Sequence, residues 1–391
     1  MVRKTIVLVL LVACVAGVSV WRLGSSSSSR SNPAPSARTV RVTDLAGRDV
    51  TIRKPVERIV LMRSLNIYEL AAVLGDELGG KLIGWDSSLK TGDLDAHRKF
   101  VERFPQLKDA TILGDVLRDT VSAEAVLALN PDLVIMSTSM LERKSRSLEQ
   151  LEQAGVPLLY LDFSDPFKGP QRSLLLLGQV LDKETQAQAI VHWIDRELDK
   201  VFSRLEKIES KVPTLYLEAG TQGAGRYGNT FGRDGQGKAV NWGSVMDQVR
   251  CRNVAADAVS GLYGMAVIRP EFLLKADPQV IVVTGAHWTA FPDSLHLGYD
   301  AEAAKARGLL REFATRPGWA DLQAVKNRRV YGIHTRFGSH VTSFAAAQQL
   351  AKWLYPTDFQ DLEPEAALRR FHDKFMPIGF SGTWMVGIDD D

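Results

Sequence analysis

The sequence predicts an α/β protein of two similar α/β lobes connected by a single long helix, with a ligand cleft between them. Three observations carry that prediction. First, a short pattern occurs twice, with Glu124 and Glu271 as equivalent positions 147 residues apart. In each copy a Glu opens a short helix, Asn130-Pro131 or Asp277-Pro278 ends it, and an apolar run follows at 133–136 or 280–283. Proline cannot continue a helix and biases its predecessor towards extended backbone, so each copy reads as helix, stop, buried strand. Chance likeness of two ordinary αβ units is the plain alternative, against which the Glu-to-Pro spacing and the run that follows both match. Second, strand-like and helical patterns alternate over 40–165, as in βαβ units. Third, Ile190, Trp193, Ile194, Leu198, Val201, Phe202, Leu205 and Ile208 recur every three or four residues with charges between them. That stripe is one amphipathic helix over about 184–209, placed between the two copies. Similar lobes facing each other leave a gap suited to a ligand.

The elements follow in order. Residues 39–52 alternate around Asp44-Leu-Ala-Gly-Arg48 and read as two short strands with a turn. Arg58 to Met62 is a buried strand, then a helix runs from about Ser64 to Leu74 and stops at Gly75. Strands are expected at 81–85, 133–136 and 156–161, the last after a helix containing Glu149 to Ala154. After the long helix, 213–217 starts a second lobe, followed by a glycine-rich loop, a helix near 244–249, a late strand at 329–333 and a helix over 343–354. The polar tail, ending in three aspartates, reads as a solvated end. The expected divisions are 1–23 export signal or anchor, 24–38 tether, 39–166 N-terminal lobe, 167–211 linking helical segment and 212–391 C-terminal lobe.

The chain of 391 residues is long enough for two substantial cores. Its formal charge of +2 conceals an asymmetry, because Arg3, Lys4, Arg22, Arg30 and Arg38 stand in a leader without acidic residues. The remaining 43 basic and 46 acidic residues leave the body near −3, which offers no general footprint for nucleic acid. Cys14 and Cys251 are the only cysteines, so neither a disulfide framework nor a cysteine-rich metal site can form. Arg3 and Lys4 precede an apolar stretch to Trp21, the pattern of an export segment. Three outcomes fit it: lipidation at Cys14 in Leu11-Val-Ala-Cys14, an uncleaved membrane anchor, or ordinary cleavage. The Ser- and Pro-containing stretch after it reads as a flexible tether, so the body is expected outside the cytoplasm, membrane-anchored.

Candidate ligand residues are sought at strand C-terminal ends and the loops beyond them, where open α/β sheets bind their ligands. These are Arg63, Trp85, His287, Trp288, His334 and Arg336, with Arg226 and Tyr227 in the glycine-rich loop. Guanidinium forks and aromatic faces suit anionic, aromatic ligands. Of the histidines, His287, His334 and His340 are expected in loops, while His97, His192 and His372 read as exposed helical positions. No His-x-x-x-His pair exists and the spacing of His334 and His340 matches no compact zinc motif, so no resident metal is expected, though a histidine could still meet a bound iron. No G-x-S-x-G elbow or phosphate-binding G-x-x-x-x-G-K-[ST] loop is present, and neither catalytic residues nor a cofactor are expected.

The stretches 42–52, 58–61, 68–75 and 130–135, the long linking helix, and C-terminal 350–356 and 368–375 together resemble the substrate-binding proteins of bacterial ABC importers for ferric siderophores, haem and cobalamin. The resemblance covers nearly all of 40–380 and rests on the order of its motifs. It implies two α/β lobes on a rigid helix, a monomer that captures a ferric siderophore-like iron chelate, and delivery to an ABC permease in the inner membrane. Cobalamin or haem binding, and a membrane-tethered sensor, are alternatives on the same scaffold; an enzyme with an interlobe site is the remaining class. The resemblance further implies that Glu69 is a surface carboxylate docking on permease arginines, with Asp247 as its counterpart. The sequence departs from the family there, with Arg250-Cys251-Arg252 where a Gly-Gly pair is usual before Asn253.

Overall fold

The computed structural model describes residues 38–389 except 116, 117, 119, 142–144 and 260–263. The expected export segment, the lipidation candidate Cys14 and nearly all of the tether lie outside the described residues. Among the described residues no helix is long and apolar enough to cross a membrane.

A hairpin of Arg38–Thr43 and Asp49–Lys54 leads into the first sheet. That sheet is parallel throughout, in the order Thr111–Ile112, Leu82–Trp85, Ile59–Leu61, Leu133–Ser137, Leu158–Leu161. The second sheet is mixed. Its parallel centre is Thr214–Ala219, Val280–Gly285 and Val330–His334, with Arg252–Asn253 also parallel beside Thr214–Ala219. Thr230–Phe231 and Met265–Ala266 extend one side in antiparallel fashion. The tail is not merely solvated: Met385–Gly387 pairs antiparallel with Val330–His334, and Trp384 and Val386 are buried. The two strands of the repeat, Leu133–Ser137 and Val280–Gly285, are buried along their whole length, as strands covered on both faces must be. The helices Ala123–Ala128 and Pro270–Ala276 precede them. Before each proline, however, the backbone is left-handed rather than extended, with φ of 45° at Asn130 and 42° at Asp277. Asn and Asp tolerate that conformation better than other side chains, which is why they stand there.

The linking helix is Glu184–Leu205, about 33 Å for 22 residues and shorter than the stripe implied. It buries Ile190, Trp193, Ile194, Leu198, Val201 and Leu205. On one side it packs against Gly169–Leu181 and on another against Ser343–Leu354, where Trp193 meets Phe344 edge to face at 4.9 Å. Gln348 Nε2 donates to the Glu197 carboxylate at 2.8 Å. One apolar cluster therefore runs from Ile67 through Trp193 to Phe371, joining both lobes through the helix.

Candidate functional site

The parallel strands of both sheets deliver loops to one cleft. From the N-terminal lobe, Ile59–Leu61 leads to Arg63, and Leu82–Trp85 leads through Asp86 to Asp93 and Asp95. Asp93 caps the helix Leu94–Arg103, its carboxylate accepting from Ala96 N, and Asp95 stands in the first turn. From the C-terminal lobe, Val280–Gly285 leads to His287, and Val330–His334 places His334 at its end with Arg336 just beyond. The lobes touch across this cleft. Leu94 N donates to His287 O at 3.0 Å and Thr289 N to Thr91 O at 3.1 Å.

Three titratable side chains meet at the contact. His287 Nδ1 lies 2.6 Å from Asp95 Oδ1, His296 Nε2 lies 2.6 Å from Asp95 Oδ2, and Asp300 N also donates to Oδ2 at 3.1 Å. Asp95 is buried, whereas both histidines are half-buried with ring centroids 4.6 Å apart. Burial works to raise the Asp95 pKa, but the hydrogen bonds from His296 and His287 outweigh it and leave the carboxyl at about 2. These three side chains are the His/Asp group able to hold a metal ion among the described residues, their ligand atoms lying within 4.8 Å of one another. The sequence alone names no metal-ligating set, whereas the fold brings these three side chains together. Motif spacing misses it because the carboxylate and the imidazoles come from different lobes.

Deeper in the cleft, Asp93 and His334 are fully enclosed, with His334 Nε2 3.5 Å from Asp93 Oδ2. Neither His334 nitrogen, nor Asp93 Oδ2, nor Arg336 Nε has a hydrogen-bond partner among the described residues. Burial raises Asp93 to about 7 despite Arg336, and burial with the nearby Arg336 holds His334 well below its usual range. Loss of hydration lowers Arg336 to about 10, partly offset by Asp93 and reinforced by the neighbouring Arg63. Leaving so many buried polar atoms unmatched is costly, which marks this cluster as the candidate site.

The expected residues divide. Arg63, His287, His334 and Arg336 converge, and Trp288 is half-buried beside them in sequence. Arg226 is exposed and lines a groove of about 680 Å³ with Thr221, Phe291, Asp293 and Glu312, beside the loop that carries His287. Trp85 does not present an aromatic face: it is 1% exposed, its ring tilted over His97 at 5.4 Å. Tyr227 turns into its own lobe, its hydroxyl accepting from Trp319 Nε1 at 2.7 Å beneath Arg316. His372, expected exposed, is buried between Leu368 O and the Tyr299 hydroxyl. Asp93, Asp95 and His296 were missed; their signal was position beyond a strand end, which Asp86 and many other residues share.

Glu69 is the largest correction. It is 0% exposed, and its carboxylate accepts from Val341 N at 2.8 Å with His340 Nδ1 at 3.3 Å. The segment His340–Val341 closes over the first turn of the helix Ile67–Leu74, so Glu69 faces an interlobe contact rather than solvent, and a surface docking role does not fit. Asp247 is exposed and paired with Arg233 at 3.2 Å. A second cavity of about 680 Å³, lined by Phe167, Leu198, Phe202 and Arg250, lies along the linking helix away from the strand ends.

The comparisons with known proteins agree with this fold. The profile of the family described as periplasmic binding protein matches residues 102–336. The crystal structure of the TroA-like periplasmic binding protein FepB from Veillonella parvula superposes with a TM-score of 0.81 at 32% identity, covering 90% of this chain and 100% of that one. The uncharacterized ABC transporter substrate-binding lipoprotein YvrC of Bacillus subtilis is 24% identical over 357 residues, 90% of this chain and 97% of that protein. The molybdate-binding protein MolA of Haemophilus influenzae is 23% identical over 365 residues, 85% of this chain and 90% of that one.

Proposed function

The chain belongs to the periplasmic binding protein family, transport-associated non-enzymes that serve ABC importers as extracytoplasmic substrate-binding proteins, and from that premise we propose that it captures an anionic, ferric siderophore-like iron chelate between its lobes and delivers it to a permease. The observation that carries this reading is the half-buried Arg336 just past the end of Val330–His334, whose buried Nε has no hydrogen-bond partner among the described residues. An anionic ligand offers that donor an acceptor, and guanidinium groups bind chelate carboxylates or catecholates through paired hydrogen bonds. The units bounding the cleft are 39–166 and 212–391, with 167–211 as the link. Attachment to the membrane through the N-terminal segment, by Cys14 lipidation or an anchor, is supported by the lipoprotein relative YvrC.

Docking requires exposed groups on both lobes. With Glu69 enclosed, the equivalent exposed carboxylates are the two that open the repeated helices, Glu124 and Glu271. A second reading, a bare oxyanion as cargo, is favoured by the likeness to MolA, whose named ligand is molybdate.

The test is tryptophan-fluorescence titration of the full chain with ferric siderophores, ferric citrate, haem, cobalamin and molybdate. Saturation by one ferric chelate, weakened at least tenfold by Arg336→Ala in a variant that still folds, is the expected result. Saturation by molybdate alone selects the second reading. Silence towards the whole panel from folded protein removes both.

A further inference from the structure

The Asp95, His287 and His296 contact has a composition that a simple interlobe latch does not require. We infer that these three side chains form a metal-ligating triad, one carboxylate from the N-terminal lobe and two imidazoles from the C-terminal lobe, that takes a first-row divalent metal ion directly. This deepens the reading of the cleft given above, on which it rests, by naming the chemical class of what the cleft mouth holds. Two histidines and one carboxylate are a donor set suited to Fe²⁺, Co²⁺, Ni²⁺ or Zn²⁺, and they leave coordination positions open for further ligands.

The geometry is close to what such an ion requires. The three ligand atoms lie within 4.8 Å of one another. Tetrahedral nitrogen ligands at about 2.1 Å from a metal stand roughly 3.4 Å apart, so closing the site calls for at most about 1.4 Å of side-chain movement. In the present arrangement each imidazole sits 2.6 Å from a carboxylate oxygen and must place a proton between them. A neutral imidazole carries that single proton on either nitrogen. Moving it to His287 Nε2 and His296 Nδ1, which have no hydrogen-bond partner among the described residues, frees the nitrogens that face Asp95. Nothing is oxidised or reduced in this step. Asp300 N, bonded to Asp95 Oδ2, fixes the carboxylate as an outer-shell partner does in metal sites.

A second observation points to a ligand in the same place. Gly298, at φ +130°, carries no side chain, and a methyl group built there would lie 3.6 Å from Asp95 Oδ2 and 3.4 Å from His334 Nε2. The fully buried His334, with neither nitrogen hydrogen-bonded among the described residues, therefore stands next to the triad, with Gly298 between its Nε2 and Asp95 Oδ2. A hydrogen-bonded latch gives no reason for a buried imidazole whose nitrogens make no hydrogen bond among the described residues; an additional donor or an outer-shell contact to a bound ion does.

The probes are Co²⁺ and Ni²⁺ chlorides added to the metal-free full chain, read by visible absorption and by equilibrium dialysis, with nickel nitrilotriacetate as a second arm. One ion per chain, with cobalt bands of a low-symmetry nitrogen and oxygen site, and a loss of at least 30-fold in affinity in both His287→Ala and His296→Ala, is the expected outcome. Both histidines are half-buried, so the variants are checked for an unchanged melting curve, and His287→Gln with His296→Gln repeats the measurement with the volume kept. Binding of the bare ion alone makes the cargo a free cation. Binding of the nitrilotriacetate complex as well, with the same histidine dependence, makes it a chelate with open positions. No metal binding by the wild type, or equal binding by the variants, overturns the inference. Arg336-dependent chelate binding by a wild type that takes up no metal ion would show that the triad had failed while the reading of the cleft stood.

Discussion

Replacing Glu69 with Ala removes an acceptor that the structure encloses completely. Its carboxylate takes the Val341 N–H at 2.8 Å, and Val341 is itself 1% exposed, so no water replaces the lost partner. A hydrogen bond to a charged group contributes about 1.5–3 kcal/mol, and an orphaned buried N–H costs about 1–3 kcal/mol. These terms overlap, and the nearby His340 Nδ1 at 3.3 Å also loses its carboxylate. The expected destabilisation of Glu69→Ala is about 3 kcal/mol. Glu69→Gln keeps an acceptor but not the charge, and should lose about 1 kcal/mol. Urea unfolding of the full chain followed by tryptophan emission measures both, with Glu124→Ala as an exposed control whose midpoint should not move. A wild-type midpoint for Glu69→Ala, together with abolished uptake, would refute the enclosed interlobe role and restore a docking one.

Two further predictions concern other sites. His372 is buried neutral, its Nδ1 donating to Leu368 O and its Nε2 accepting from the Tyr299 hydroxyl, and burial lowers its pKa from 6.5 to about 4. The unfolded chain therefore binds this proton first, so its stabilisation is complete above about pH 6.5 and is lost as pH falls towards 4, at up to about 1.4 kcal/mol per unit. His372→Gln should flatten the stability profile in that window; an unchanged slope would sink the assignment. At Gly228 a methyl group would lie 1.8 Å from Ala219 O, a backbone atom. Gly228→Ala should cost about 2–3 kcal/mol in thermal or urea unfolding, and a neutral result would mean that the loop after Thr214–Ala219 relaxes freely.

The sequence by itself determined the local elements and their order. The repeated helix–stop–strand pattern, the stripe from Ile190 to Leu205 and the punctuation at Gly75 each have a period or a stereochemical signature that few residues suffice to express, and the strands and helices stand where those signatures place them. The same logic placed Arg63, His287, His334 and Arg336 at strand ends, because a parallel sheet sends its loops to one edge. Tertiary structure alone decided which of those positions became cleft and which became core. Glu69, Trp85 and Tyr227 have the chemistry of surface or ligand-facing groups, yet the opposing lobe or their own lobe covers them. Asp95 meets His287 and His296 across 192 and 201 positions, a proximity set by how two lobes seat on a shared helix rather than by any spacing along the chain. Periodicity reports which face of an element is apolar; it carries no information on what stands opposite that face, and in this protein the site is made of what stands opposite.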